Sequence, residues 1–309
     1  MKIHYLKNNE INYEAYDFCI ENSSQGTMYA MSWYLDITSP DWELLMADDY
    51  NYVMPIPVKK KLCYKYAIQP PVCQQLGIFS LKELTSEIFG CFIHAIPYRY
   101  CHFYLNAGNV FNEFANFKLN SNYELDLGQP YEKIKAGFST NCIKNIKKAE
   151  KENLNCNRQT DIDIYVSLLK RNSINISLVK RLNILVPILK KTYGAKVEIW
   201  NISEENGEIL AASPLVTWQN RVYNLAPVST EPGKQKYAMF FLLDQFIREN
   251  SGNELILDFE GSMIFGVAQF YKGFGADDKP YSVFLKTNAI HSLLRNINTQ
   301  LTKINCMLR

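Results

Sequence analysis

Apolar residues change their spacing several times along this chain, and each change marks an element. Near the amino terminus, WELLMADD (42–49) and NYVMPIPVKKK (51–61) read as two extended runs joined at Asp-Asp-Tyr-Asn, which predicts a hairpin. SLKELTSEIFGCFIHAI (80–96) shifts to helical spacing, with Ser80 as the expected cap and Glu83 three residues on. CHFYLNA (101–107) and NYELDL (122–127) return to strand-like patterns.

The character changes around Gly128. Pro130 suits a first helical turn, and STNCIKNIKKAEKENL (139–154) offers Ser139 or Thr140 as a cap, with Ile143, Ile146 and Leu154 on its apolar side. Lys144, Lys147, Lys148 and Lys151 recur at i, i+3, i+4, i+7, which places four ammonium groups on one helix face. After a polar extended piece (155–161), two more helices follow; Pro187 should kink or divide the second, and Gly194 should stop it. Three strands come next (196–202, 209–219, 221–229), the first two joined across Asn206-Gly207, a strong hairpin signal. A helix with Met239, Phe240, Leu243, Phe246 and Ile247 on its buried face ends at Gly252. ELILDF (254–259) is nearly continuous in apolar residues, as a central strand covered on both faces should be. A short helix (266–275), a strand (281–286) and an amphipathic tail helix (289–309) complete the expectation.

This succession resembles the Gcn5-related N-acetyltransferase (GNAT) fold. CIKNIKKAEKENL (142–154) is similar to the Asn-Ile-x-Lys-Ala motif of the Fem-type (FemABX) peptidyltransferases and related tandem-GNAT proteins. YAMFFLLDQFI (237–247) followed by LILDFEGS (255–262) resembles their last-domain helix and its Asp-Phe strand end, and AQFYKGFGA (268–276) resembles the closing helix. GTMYAMSWYLD (26–36), WELL (42–45) and QQLGIFS (74–80) sit where such proteins carry a first, degenerate repeat. The resemblance implies an α+β, mixed α/β fold of two GNAT-like repeats, each a central, mostly antiparallel sheet flanked by helices. It implies a first domain over 1–128 and a second over 129–309, with the active cleft in residues 155–290 and walls contributed by the first repeat. It also implies transfer of an acyl or aminoacyl group, from acyl-CoA or aminoacyl-tRNA, to a primary amine on a small molecule or peptide. One departure stands out: the phosphate-gripping Arg/Gln-x-x-Gly-x-Gly/Ala of CoA-using relatives is replaced by STEPGKQKYAM (229–239).

Aminolysis of an ester or thioester needs a neutral amine held near the acyl carbon, donors for the oxyanion, and an acid for the leaving group. No metal is required. Asp258 and Glu260, at i and i+2 at a strand end, could bind the substrate ammonium or accept its proton; alternatively they cap the next helix together with Ser262. Tyr271 stands where the resemblance places the phenol that protonates a leaving thiolate, and its other reading is aromatic packing. Lys272 could steady developing negative charge or be a plain exposed lysine at a helix end. Gly233, Lys234, Gln235, Lys236, Tyr237 and Ala238 precede or open a helix whose positive end favours phosphate; the other reading is a flexible polar loop. Pro227 should break its strand and free backbone donors there. The face of Lys144, Lys147 and Lys148 could touch a nucleotide, tRNA or a phosphorylated acceptor, or simply be solvated.

Composition narrows the classes. A hydrophobic fraction of 47% with 13% aromatics excludes a disordered chain, and a net charge of +2 excludes a uniformly basic nucleic-acid binder. No apolar run approaches the roughly 18 residues that cross a bilayer, so no membrane insertion is expected. The first residues hold no apolar signal core, and a cytoplasmic protein is expected. Eight cysteines without a Cys-x-x-Cys pair read as small buried residues, not as a zinc site or a disulfide framework. Lys59–Lys61 reads as an edge-strand guard. The competing reading of the whole chain is a catalytically inactive GNAT-fold module that binds a phosphorylated ligand or a protein partner.

Overall fold

The computed structural model describes residues 1–61, 64–114, 117–172, 176–191, 194–261 and 263–287. Its contacts divide the chain into two units: Met1–Leu119 together with the segment from Tyr281 onward, and Asn120–Pro280. The division therefore falls ahead of residue 128, and the last described strand returns to the first unit.

In the first unit the elements are β1 (Ile3–Leu6), α1 (Tyr13–Asn22), α2 (Ser32–Thr38), β2 (Glu43–Ala47), β3 (Tyr52–Ile56), β4 (Val58–Lys61), β5 (Tyr64–Ile68), β6 (Phe79–Ser80), α3 (Ser86–Ala95), β7 (Cys101–Tyr104) and β8 (Lys118–Asn120). The expected hairpin is β2–β3, in register Ala47↔Tyr52. Its loop turns because Asp48, Asp49 and Tyr50 all take left-handed φ values of 51°, 49° and 64°, and Asn51 N–H closes it on the Asp48 carbonyl at 3.0 Å. Pro57, which has no N–H to give a ladder, separates β3 from β4. The extended run is thus shared between a four-stranded sheet (β1-β2-β3-β6) and a five-stranded one in which β4 is the edge. Lys59, Lys60 and Lys61 are exposed on that edge. Helix α3 starts later than expected: Thr85, not Ser80, accepts from the Ile88 N–H at 3.3 Å. Ser80 instead pairs with Tyr52 in the sheet, so a β-ladder wins over a capping box that looked complete in sequence.

The second unit runs β9 (Tyr123–Asp126), α4 (Tyr131–Ala136), α5 (Thr140–Ala149), β10 (Asn155–Gln159), α6 (Asp163–Asn172), α7 (Ile176–Lys190), β11 (Lys196–Ser203), β12 (Ile209–Trp218), β13 (Arg221–Asn224), β14 (Val228–Ser229), α8 (Glu231–Gln235), α9 (Ala238–Asn250), β15 (Ile256–Asp258), α10 (Phe265–Gly273) and β16 (Asp277–Asp278). Ser139 caps α5 through the Cys142 N–H, and Gly207 at φ 84° turns the β11–β12 hairpin. Pro187 lies inside α7 without dividing it. The strands form one sheet in the order β10-β11-β12-β13-β15-β9-β16, with β14 also on β12. The β13–β15 pair is parallel and the other pairs in this sheet are antiparallel. Its core gathers Ile146, Leu215, Leu243, Phe246, Leu257 and Phe274 between the sheet and helices α5, α9 and α10.

Back in the first unit, β17 (Tyr281–Lys286) pairs with β7, and Phe284 joins that unit's core. The strand expected to close the second repeat thus completes the sheet of the first. The expected tail helix lies outside the described residues.

Candidate active site

The pairing of two neighbouring strands of the second unit stops short. β13 and β15 pair at Arg221↔Ile256, Val222↔Leu257 and Tyr223↔Asp258, and no further, since β15 ends at Asp258. Beyond that point each strand still bonds its outer neighbour: Leu225 N–H donates to the Pro214 carbonyl of β12 at 3.0 Å, and Phe259 N–H to the Tyr123 carbonyl of β9 at 2.9 Å. On the β12 side the ladder also bulges. Leu215 opposes Asn224 and Ala212 opposes Val228, so three steps along β12 answer four along its partner. Ala226, left-handed at φ 51°, absorbs the extra residue just before Pro227. A bulge next to the end of the β13–β15 pairing re-aims side chains there, and after Pro227 the chain pairs with β12 again at Val228.

The side chain of Tyr271, from α10, bridges the first residues beyond the end of that pairing. Its ring stacks on Phe259 at 4.7 Å and 21°, with Tyr123 6.3 Å away. The amide of Asn224, at the end of β13, acts on its hydroxyl. Asn224 is wholly buried: its Oδ1 accepts from the Ser213 hydroxyl, while its Nδ2 finds no acceptor of good geometry. Burial pushes the Tyr271 pKa well above the usual phenol value, and the nearby Glu260 and Asp258 carboxylates add to the rise, against a smaller lowering by Asn224. The phenol is accordingly neutral, a proton donor, throughout the physiological range.

Asp258 and Glu260 do not share a face as expected. β15 stops at Asp258, and Glu260 is left-handed at φ 58°, so the i, i+2 alternation of a strand is lost between them. Asp258 is 3% exposed and fully engaged. Its Oδ2 pairs with Arg221 Nη1 at 2.8 Å, and its Oδ1 accepts the Glu260 N–H at 2.9 Å. Arg221 also pairs with Glu124 at 2.8 Å, so the guanidinium ties β13 to both β15 and β9. Burial raises the Asp258 carboxyl pKa more than Arg221 lowers it. This residue holds the strand end and the turn after it. The expected cap to the next helix is not formed by these carboxylates, because α10 begins at Phe265 with Ile264 as its cap residue. Glu260 is half-buried and close enough to Tyr271 to raise its pKa. Gly261, at φ 55°, lets the chain pass the Ser121 carbonyl, where a Cβ would stand at 2.2 Å.

The segment expected to cradle phosphate is ordered differently. Gly233 lies inside α8, and its missing Cβ makes room for the Leu210 carbonyl, which a Cβ would meet at 2.2 Å. It is a packing glycine. Lys234 pairs with Glu231, and Lys236 with Glu204 at 2.7 Å and Glu152 at 3.7 Å, while Gln235 is exposed at the helix end. Both ammonium groups thus have carboxylate partners at the surface. What remains is the amino end of α9: Tyr237, left-handed at φ 57° and without a side-chain cap, followed by buried Ala238. Lys148 of α5 reaches this point, 3.0 Å from the Tyr237 hydroxyl and 4.7 Å over its ring. Lys144 and Lys147 are exposed on α5, and Lys151 is exposed just beyond it. Lys272 sits over the Tyr123 ring at 5.4 Å and 3.9 Å from Asp278, so its charge is partly answered.

Solved structures share this architecture at low sequence identity. FemX superposes with a TM-score of 0.62 at 12% identity, over 95% of this chain and 99% of its own. The C-terminal domain of a putative lysylphosphatidylglycerol synthetase from Agrobacterium fabrum gives 0.54 at 12% identity, over 94% and 96%. L-PGS from Bacillus licheniformis gives 0.52 at 12% identity, over 93% and 95%. The chain has a Fem-like GNAT fold. In sequence, neither a protein-family model nor a curated protein matches it.

Within this Fem-like fold, sequence reasoning missed Asn224, Ser213, Arg221 and Glu124. Asn224 stands three residues before Pro227, and that strand-breaking proline was the available signal for it. Arg221 and Glu124 carry no local signal, since 97 residues separate them. Among the described residues, no group of three His, Cys, Asp or Glu side chains is disposed to hold a metal ion, and no helix is long and apolar enough to cross a membrane.

Proposed function

We propose that this chain is an acyltransferase that moves an aminoacyl group from an ester donor, an aminoacyl-tRNA, onto a primary amine by direct aminolysis. The observation that carries the reading is the neutral, buried Tyr271 lodged where the β13–β15 pairing ends, between Phe259 and Asn224. The amine nitrogen attacks the acyl carbon, a C–N bond forms, and the C–O bond to the donor breaks. The Tyr271 hydroxyl gives its proton to the departing oxygen. Glu260, through water, takes the proton that the amine loses. Solvent then returns a proton to Tyr271 and removes one from Glu260.

The choice between ester and thioester follows from acidity. A thiol has a pKa near 8.5, so a departing thiolate draws a proton only weakly from a phenol raised above its usual value of about 10. An alkoxide is far more basic, as the pKa of about 15.7 for water indicates, and is well matched to such a phenol. Lys148 beside the open end of α9, with Lys144, Lys147 and Lys151 nearby on or just past α5, suits a polyanionic donor. Acyl-CoA is the alternative donor, and the acceptor is an amine on a small molecule or a peptide.

The deciding experiment is single-turnover transfer of a radiolabelled aminoacyl group from charged tRNA to a panel of primary amines, run beside labelled acyl-CoA. Transfer from tRNA alone supports the ester reading; transfer from acyl-CoA alone replaces it with the thioester one. A second reading, a donor-binding module without turnover, is favoured by the burial of Tyr271 and the full engagement of Asp258. It would show as a saturable thermal shift with charged tRNA and no product.

A further inference from the structure

The five-stranded sheet of the first unit has one side in the core and one side that the transfer chemistry does not use. Across β4–β5, Lys59 opposes Tyr66 and Lys61 opposes Tyr64; across β5–β7, Ile68 opposes His102. Residues opposed in register share a side of the sheet. Alternation along β7 puts Tyr104 on that side too, and Tyr100, just before β7, meets the Tyr66 ring. The other side, with Val58, Ala67, Cys101, Phe103 and Phe284, is the one that joins the core.

Tyr64, Tyr66, Tyr100, His102 and Tyr104 are each half-buried, and none belongs to the core beneath the sheet. Their rings run as a series over β5 and β7. Tyr64 stacks with Tyr66 at 6.3 Å and 19°, Tyr66 meets Tyr100 at 6.1 Å and 62°, and His102 meets Tyr104 at 5.2 Å and 85°. Charge of one sign borders the series. The five strands β4, β5, β7, β17 and β8 together contain lysines and no aspartate or glutamate. Lys59 and Lys61 are exposed, and neither enters an ion pair among the described residues. Charge alone would guard the β4 edge against pairing. A row of partly exposed rings beside it adds nothing to that guard and leaves apolar surface in water, which is the mark of an interaction face.

We infer that this face is a platform for single-stranded RNA, whose bases stack on Tyr66, Tyr100 and His102 while Lys59 and Lys61 hold the adjoining phosphates. Every base has a π-face that such rings can cover, and the lysines on the same side supply the charge that tracks the backbone. A duplex fits poorly, because its bases are already stacked on one another. The choice of RNA over DNA rests on the proposed aminoacyl-tRNA donor. The binding itself needs neither an amino acid nor turnover, so its failure and a failure of transfer are separate results.

The test titrates the full chain into a fluorescein-labelled oligouridine of about 12 nucleotides, read by anisotropy, with the matching DNA and a blunt RNA duplex as competitors. Saturable binding tighter than about 100 µM is expected, with the single-stranded RNA at least fivefold tighter than either competitor. Tyr66→Leu, checked for folding by circular dichroism, should weaken binding at least fivefold, and Tyr66→Phe, which keeps the ring, less than twofold. Lys59→Ala combined with Lys61→Ala should lower the slope of log Kd against log salt by about 1.4, at roughly 0.7 for each phosphate contact. Photo-cross-linking of a 5-bromouridine oligonucleotide to the wild type, read by peptide mass spectrometry, needs no substitution and should label Tyr64, Tyr66, Tyr100, His102 or Tyr104. The assignment is overturned by no binding at about 100 µM, by equal affinity for the DNA or the duplex, by labels confined to other residues, or by a folded Tyr66→Leu that binds unchanged. A sedimenting dimer that RNA leaves intact and Tyr66→Leu disrupts would give the face to a second copy and overturn it as well.

Discussion

Lys148 donates to the hydroxyl of Tyr237 at 3.0 Å, joining the lysine face of α5 to the uncapped start of α9. In the sequence these residues belonged to two separate candidate features, a charged helix and a phosphate loop. In the fold they meet, while Lys234 and Lys236 are turned into carboxylates.

Lys148→Ala should therefore weaken donor binding about five- to tenfold, equivalent to roughly 1–1.4 kcal/mol. It should also lower the salt dependence of log Kd by about one contact. Because the side chain is exposed, stability should change by less than about 0.5 kcal/mol. Calorimetric titration at several salt concentrations, beside urea unfolding, checks both parts.

Tyr271→Phe removes the proposed acid and keeps the ring on Phe259. Turnover should fall about 10²- to 10⁴-fold with donor affinity unchanged. A pH signature accompanies it. The folded phenol has a raised pKa, so the stability it contributes is fully present below pH 10 and is lost as pH rises above 10 toward the folded value. Urea unfolding between pH 8 and 11 should show the wild type losing more stability than Tyr271→Phe at the alkaline end. Parallel curves would return Tyr271 to an ordinary exposed phenol.

Asp258→Asn and Glu260→Gln should separate cleanly. The first removes one partner of the buried Arg221 pair and should cost about 3 kcal/mol, the lower end for such a loss because Glu124 still holds Arg221. The second should cost under about 1 kcal/mol and act on turnover. Chemical denaturation with single-turnover rates on the two variants reads the contrast; equal destabilisation would place both carboxylates in the framework.

Gly261→Ala combines a left-handed φ of 55° with a Cβ 2.2 Å from the Ser121 carbonyl. Handedness alone costs about 1–2 kcal/mol, and forced overlap adds about 1–3. Gly207→Ala is the control, at φ 84° with no heavy atom within 4 Å of the added carbon, and should show the first cost only. Melting of both variants measures the difference.

Much of the architecture was readable from local pattern. The β2–β3 hairpin, the Ser139 cap of α5 and the Asn206-Gly207 turn follow from spacing and turn chemistry, which act within a few residues. The break between β13 and β14 at Pro227 was also visible, since a residue without an N–H interrupts any ladder. Ser80 shows where local signals mislead: its capping pattern was sound, and a strand partner 28 residues away took it instead.

By itself, the sequence determined the order of helices and strands, the lysine stripe on α5, and the presence of a phenol and two carboxylates near the β15 end. Only the tertiary structure decided which of these groups remain available for chemistry. Arg221 and Glu124 claim Asp258, Glu204 claims Lys236, and Asn224 comes to face Tyr271. The last strand likewise leaves the second unit to pair with β7. Each of these outcomes is a contact between residues distant in sequence, and such contacts follow from burial and charge pairing in the folded chain, which no local pattern encodes.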